Sequence, residues 1–364
     1  MRLGVEAALV DGALVPGDVE VVDGAIAGYG LAGSNGRGRI AVPGFIDLQV
    51  NGFGGVDFMG ADADGYRRGG DALLETGVTA YLPTFISAPE EDLLAALGNV
   101  PVGADGPRIL GVHLEGPFIS PRRLGVHPAS ARRDPDPALL QRLLGAGPVR
   151  LMTLAPELPG AGDLIDQLLL AGVAVSAGHT NASAEEATAA FDRGVRSVTH
   201  IFNAMRPFGH RDPGLAGAAL ARDDVVVQVI LDGVHLAEET ARLIWSSAGG
   251  RAALVTDAVA GAGMGDGAYL LGGSEIEVRG GVVRGLDDVL AGSALTMIEA
   301  VRNLHELGVS LSEAVAAATA VPARVLGVST IGRIGVELAA DLVVLDDNLE
   351  IDRVCVGGEA RVVA

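Results

Sequence analysis

Residues 173–205, VAVSAGHTNASAEEATAAFDRGVRSVTHIFNAM, read strand, helix, strand. The apolar run Val173–Ala177 stops at Gly178-His179, and a second run, Val195–Thr199, stops at His200. Between them Ser183 and Glu186 have the spacing of a capping box, which opens a helix by satisfying its first free N–H groups. A strand–helix–strand unit crosses over right-handedly, so the two strands are predicted to lie parallel with their carboxyl ends together. Two imidazoles are thereby expected side by side. One histidine finishing a strand is as readily a cap; two in successive units point to a metal or a reacting group.

The same rhythm extends outward. Strand-like apolar runs begin near residues 45, 78, 109, 149, 173, 196, 225 and 252, at spacings of 33, 31, 40, 24, 23, 29 and 27 residues. Helical patterns are predicted over 62–75, 89–98, 136–145, 162–171, 184–193 and 237–248, a weaker one over 211–222, and two more over 293–307 and 311–320. Near-continuous apolar strands alternating with helices indicate a parallel sheet, and eight of them indicate a closed α/β fold, the (β/α)8 TIM barrel, over residues 44–332. A doubly wound sheet uses the same units, but no GxGxxG follows the first strand.

Residues 1–43 read differently, as short strands at Leu3–Leu9, Ala13–Val15, Val19–Val22 and Ala25–Tyr29 with hairpin turns at Asp11-Gly12 and Asp23-Gly24. Ser34–Gly38 reads as a loop. Strands return after Gly335, at Asp341–Leu345 and Arg353–Val356. That tail is too short to fold alone, so residues 1–43 and 333–364 are predicted to pair as one small β-sandwich domain; two separate barrel caps are the alternative. Gly261–Gly265, and the stretch 261–268 around it, reads as a mobile lid or a plain linker.

A chain of 364 residues has room for one large and one small domain. No apolar stretch approaches the roughly eighteen residues of a membrane helix. The first residues lack the apolar core of a signal peptide, and the lone Cys355 rules out a disulfide framework. A cytoplasmic enzyme is the expectation. The net charge of −20 excludes nucleic acid and anionic membranes as natural partners, and an anionic substrate would need a local basic pocket. All 26 cationic residues are arginine, so a lyase or isomerase working through a Schiff-base lysine is excluded.

Barrel chemistry lies at the carboxyl ends of strands. There the chain places Asp47, Gln49 and Asn51 on strand one, His113 and Glu115 on strand three, His179 on five, His200 on six, Asp232 and His235 on seven, and Asp257 on eight. Glu115, His179 and His200 make a His2Glu set, a catalytic zinc type with an open position for water. Asp257, from a fourth strand, could take a proton from that water and pass it on. His113, two residues before Glu115, shares its strand face and reads as a supporting residue.

At this point nine motifs in order resemble the N-acetylglucosamine-6-phosphate deacetylases of the amidohydrolase superfamily: PGFIDLQVNGFGG (43–55), HLEGPF (113–118), LAPE (154–157), SAGHTNA (176–182), THIFNAM (199–205), DPGLAG (212–217), DGVH (232–235), VTDA (255–258) and GSALTMIEAVRNL (292–304). The resemblance implies hydrolysis of the acetamide of N-acetyl-D-glucosamine 6-phosphate to D-glucosamine 6-phosphate and acetate; a related acetamido sugar phosphate, such as the galactosamine epimer, is the alternative. It implies one divalent ion on Glu115, His179 and His200, with zinc the first expectation and iron, cobalt or manganese also suited. Asp257 is implied as base and then acid, and His127 as a contact to the scissile carbonyl. Val126, Asn203, Ala204, Arg211, His235, Leu290, Ala291 and Gly292 are implied in substrate binding, and a homodimer in which His235 and Arg211 reach the neighbouring site.

The chain departs from the wider superfamily at strand one, where Gln49 and Asn51 replace a His-x-His pair, and in having no lysine to bridge two metals. It also carries Leu124 where the family has a basic residue ahead of His127, which leaves Arg122 or Arg123 as stand-ins. A catalytically dead binder of the same sugar phosphates is the non-enzymatic alternative, opposed by the retention of Glu115, His179, His200 and Asp257 together.

Overall fold

The computed structural model describes residues 1–32, 38–103 and 106–362; most of the loop expected at 34–38 lies outside that range. Eight parallel strands form the barrel, at Phe45–Val50, Val78–Ile86, Val112–Glu115, Val149–Leu154, Ala174–Ala177, Ser197–Val198, Val226–Val229 and Ala252–Leu254. Each pairs with its neighbour in chain order. The ring closes between the ends of strands eight and one, where the Asp257 N–H donates to the Gln49 carbonyl at 2.9 Å and the Asn51 N–H to the Ala258 carbonyl at 2.8 Å. Helices cover the outside, so every residue of strands one and two is buried, as both-face burial in a parallel sheet requires.

The helices begin where the sequence carries caps. Asp62, Asp136 and Ser183 each accept backbone N–H groups of the following turn, and the Ser183–Glu186 capping box is reciprocal. Met297–Glu306 and Leu311–Ala317 open on two further boxes, at Thr296 and Ser310.

The interior below the strand ends is unusually polar. His113 Nε2 lies 2.7 Å from Thr153 Oγ1, which lies 2.7 Å from Thr199 Oγ1, which donates to Ser176 Oγ at 2.7 Å. Burial pushes the His113 pKa down to about 4, so its ring is neutral. Asp47 is fully buried, and burial pushes its carboxyl up to about 7 despite hydrogen bonds from Thr256 and the Gln49 N–H. Its folded pKa exceeds its unfolded one, so between about pH 4 and 7 the folded state holds a proton that the unfolded state has lost, and stability falls as pH rises through that window. Asp47→Asn keeps the side-chain volume and the oxygen that accepts the Gln49 and Thr256 N–H groups, and removes the titration. Urea unfolding at pH 5 and pH 8 is expected to show the variant gaining on the wild type by on the order of 3 kcal/mol between the two; an unchanged gap would mean Asp47 is ionised throughout.

Both termini build a six-stranded sheet in the order Ala13–Pro16, Ala7–Val10, Ile40–Pro43, Leu342–Leu345, Ile351–Val356, Glu359–Val362. The hairpin Asp18–Val22 with Ala25–Leu31 packs against it through Val19, Val21 and Ile26. Asp11-Gly12 and Asp23-Gly24 are left-handed at both positions, with φ of 46° and 82°, and 48° and 79°, the type I′ geometry of a two-residue hairpin. The chain passes from this sheet into barrel strand one at Gly44. A Cβ there would lie 2.1 Å from Thr79 Oγ1, so only glycine fits the crossing.

One element departs from expectation. The stretch 261–268, read as lid or linker, is a turn around Gly261–Met264 followed by a three-stranded antiparallel sheet, Gly267–Leu271, Ser274–Arg279 and Val282–Arg284. The signal was present: Gly272-Gly273 and Gly280-Gly281 are two-residue hairpin turns flanked by alternating apolar and polar residues. Ile276, Val278 and Val283 pack under it against Ile86, Val259 and Ala291, so it stands over the carboxyl end of strand two.

Candidate metal centre and active site

Three side chains converge at the barrel mouth. His179 Nε2 lies 3.1 Å and His200 Nε2 2.8 Å from Glu115 Oε1, and the two nitrogens lie 3.2 Å apart. All three residues are buried. His179 Nδ1 lies 2.9 Å from the Arg123 carbonyl. Only an N–H can donate there, so a neutral His179 presents the lone pair of Nε2 to the carboxylate oxygen. Acceptors crowded face to face repel unless a cation sits among them, and an outer N–H bond to a carbonyl is how metal-binding histidines are held. Two imidazoles and a carboxylate fit a divalent ion.

The backbone is forced to make this convergence. His179, His200 and Asp257 have φ of 45°, 27° and 51°, in the left-handed region that costs a non-glycine residue on the order of 1 kcal/mol or more. Three such residues at three strand ends aim their side chains inward over the barrel axis. Gly292, with φ 70°, seals the back of the third: a Cβ there would lie 2.6 Å from the Asp257 carbonyl oxygen.

Burial pushes the Glu115 carboxyl up, but hydrogen bonds from the His127, His179 and His200 rings, and the charge of His179 when its Nε2 carries a proton, outweigh burial and hold it well below the ordinary carboxylate range. Burial and the facing Glu115 push Asp257 up to about 8. The two strand-one amides are shared between these carboxylates: Gln49 Nε2 donates to Glu115 Oε1 at 3.0 Å and Asn51 Nδ2 to Asp257 Oδ1 at 2.7 Å. Strand one thus orients the acid groups with neutral donors.

His127 completes the ring. The Ser87 N–H donates to its Nδ1 at 3.2 Å, with Ser87 Oγ 2.9 Å away. Nδ1 is therefore the acceptor and Nε2 carries the proton, 3.6 Å from Glu115 Oε2. Burial and the charge of His179 push its pKa down to about 4, leaving a neutral N–H donor aimed into the cleft.

The cleft, about 650 Å3 of space that opens to solvent, is lined by Asn51, Glu115, His127, His179, His200 and Asp257 together with Val126, Asn203, Ala204, His235, Leu290 and Gly292. Ala291 lies behind this lining, buried with Ile86 and Leu271. Arg211 sits exposed on the loop after strand six and lines no part of the cleft. Arg123 is occupied by Asn181 Oδ1 at 3.1 Å, and Arg122 faces a separate groove beside Glu157, so neither takes the place that Leu124 vacates. His235 is held by Asp232, whose Oδ2 lies 2.7 Å from His235 Nδ1 while its Oδ1 accepts the Val234 and His235 N–H groups. Sequence reasoning missed Ile86, Ile230, Leu271 and Val289 on the cleft wall, and Ser87 behind His127. Apolar strand residues carry no chemical signature of their own.

The amidohydrolase family matches residues 40–361. N-acetylglucosamine-6-phosphate deacetylase of Mus musculus is 39% identical over 342 residues, 88% of this chain and 83% of that one. N-acetylgalactosamine-6-phosphate deacetylase of Escherichia coli O157:H7 is 36% identical over 329 residues, covering 88% and 87%. The solved structure of an N-acetyl-D-glucosamine-6-phosphate deacetylase mutant from Mycobacterium smegmatis, in complex with N-acetyl-D-glucosamine-6-phosphate, is 37% identical and superposes with a TM-score of 0.93 over 99% of this chain and 98% of that one.

Proposed function

Since this chain belongs to the amidohydrolase family, among its N-acetylglucosamine-6-phosphate deacetylases, we propose that it hydrolyses the acetamide of N-acetyl-D-glucosamine 6-phosphate to D-glucosamine 6-phosphate and acetate. The observation that carries this is the convergence of Glu115, His179 and His200 beside Asp257 in one cleft. Those three residues would hold one divalent ion, with zinc the best match to their donors. Such an ion supplies an acidified water and a polarised amide carbonyl. Asp257, ionised once a cation offsets the facing Glu115, takes the proton of the attacking water and delivers it to the leaving nitrogen. Asn51 fixes the oxygen of Asp257 that does not accept the proton. The Nε2–H of His127 donates to the carbonyl oxygen as it gains charge.

Asn203, Ala204 and His235, in the loops after strands six and seven, are the contacts for the sugar. Among the described residues no arginine lines the cleft, so the phosphate needs a cation from elsewhere. Arg211, exposed on its loop, meets that need if two copies associate and exchange loops, the reason to read the protein as a homodimer. We take residues 1–43 and 333–364 as the small domain and 44–332 as the catalytic one. No helix among the described residues is long and apolar enough to cross a membrane, and a charged sugar phosphate, which does not cross bilayers, suits a cytoplasmic site.

The test is acetate release from N-acetylglucosamine 6-phosphate by zinc-loaded protein, run beside the galactosamine epimer. Faster turnover of the glucosamine substrate supports the assignment; faster turnover of the epimer moves it to the second relative's substrate, and turnover of neither ends it. Asp232 gives a further expectation. Asp232→Asn turns an amide N–H toward His235 Nδ1, so the ring must accept there and move its proton to Nε2. KM for the phosphorylated substrate is expected to rise about tenfold with kcat within about threefold, while Asp232→Glu recovers most of the loss. Equal loss in kcat would place His235 in the chemical step instead.

A further inference from the structure

The cleft has two unlike halves. The loops after strands six and seven contribute Asn203, Ala204 and His235 beside Ile230; strand two, across the barrel from strand six, contributes Ile86, and Leu271 from the three-stranded sheet and Val126 add to the apolar lining. Ile86 is the register partner of Glu115 across strands two and three, so this apolar wall begins directly beside the metal centre. An N-acyl amide whose carbonyl sits there must send its nitrogen and sugar one way and its acyl carbon the other. The sugar and phosphate need hydrogen-bond partners, which stand at strands six and seven. The acyl carbon needs none.

We propose that Ile86 and Leu271 are specificity-determining residues that set the length of the acyl group, closing the pocket behind an acetyl methyl. This rests on the deacetylase reading above and deepens it. The wall is rigid for identifiable reasons. Ile86 and Leu271 are each 3% exposed and belong to one packed cluster with Val259, Ile276 and Val278. The hairpin tip Gly272-Gly273 lies on Ile86 itself: a Cβ on Gly272 would come within 2.9 Å of Ile86 Cγ1 and 3.5 Å of Met59 Sδ. Asp57 ties that tip to the barrel, its Oδ2 accepting the Gly273 N–H at 3.4 Å while its Oδ1 accepts the Met59 N–H at 3.2 Å. Ile86 therefore has no room to turn away from a longer chain, and the sheet that carries Leu271 is held down at its end. A close-packed wall rejects an added methylene because neither rotamer nor backbone can yield cheaply.

The experiment compares kcat/KM for the N-acetyl, N-propanoyl and N-butanoyl derivatives of glucosamine 6-phosphate in zinc-loaded wild type, Ile86→Ala, Leu271→Ala and the milder Ile86→Val. The wild type is expected to lose about tenfold or more per added methylene. Each alanine variant is expected to shrink the acetyl-to-butanoyl ratio by about tenfold or more, with Ile86→Val in between. Because each ratio is taken within one protein, a partly unfolded variant does not distort it. Wild-type ratios retained within about twofold in both alanine variants would overturn the assignment, as would a shift confined to glucosamine-versus-galactosamine preference, which would put the wall against the sugar. If the wild type cleaves none of the three, the deacetylase reading itself fails; if it cleaves them and the ratios do not move, only the acyl wall does.

Discussion

Asp257→Asn will cost the metal-loaded protein about 10^3-fold in kcat, within the range that a positioned proton carrier contributes. The substitution changes one atom. The side-chain oxygen of the introduced asparagine can still accept from Asn51 Nδ2, the hydrogen bond that now spans 2.7 Å. The left-handed backbone at position 257 is one that asparagine tolerates as well as aspartate, and the close approach of Gly292 behind it is unaffected. What disappears is the capacity to receive a proton in a buried site where Asp257 faces Glu115. Metal content by elemental analysis should stay at the wild-type level, since Glu115, His179 and His200 are untouched, and substrate affinity by calorimetry should stay within a few-fold. Slow turnover with normal metal and normal binding identifies a proton carrier. A kcat within tenfold of wild type would assign the proton transfer to another group, and a loss of metal would make Asp257 a fourth ligand.

How far the sequence led depended on which physical signal each residue carries. The barrel was legible because burial on both faces forces strands such as FIDLQV and VTAYLPTF to be continuously apolar, and because Asp62, Asp136 and Ser183 mark where helices start. The site was legible because imidazole and carboxylate at strand ends have few structural reasons to recur. Strand six shows the limit of that logic, as the apolar run Val195–Thr199 that ends at His200 is a strand only over Ser197–Val198. One feature could not be read. The cleft wall of Ile86 and Leu271 is apolar like the core around it, so only its position after folding distinguishes it. Arg211 carries the right chemistry for phosphate, yet it lies outside the cleft of this chain. The sheet at 267–284 is different again: its glycine pairs and alternation carry a hairpin signal that lies outside the eight-strand rhythm of the barrel.

Removing the metal should silence the enzyme outright. Chelation followed by dialysis is expected to lower turnover by about 10^4-fold or more, and one equivalent of zinc to restore it, because in this cleft neither an activated water nor a polarised carbonyl has another source of comparable strength. His127 is a neutral donor, and Glu115 is held ionised by the imidazoles around it, so neither can substitute as an electrophile. The stripped protein should also be less stable. A ligand that binds only the folded state adds about 2.7 kcal/mol at a hundred times its dissociation constant, and here it also relieves the crowding of Glu115 Oε1 against two ring nitrogens at 2.8 and 3.1 Å. Thermal melts of stripped and zinc-restored protein should therefore separate by several degrees. Glu115→Gln probes the same centre from the protein side, since it preserves the volume and the acceptor oxygen but removes the one ligand charge. It should bind zinc far more weakly and remain inactive at one equivalent, with excess zinc recovering metal occupancy before turnover. Iron, cobalt and manganese added to the stripped wild type would then rank the ions by restored rate. Full activity in protein shown by elemental analysis to be metal-free would mean that Glu115, His179 and His200 are drawn together for some purpose other than holding a cation.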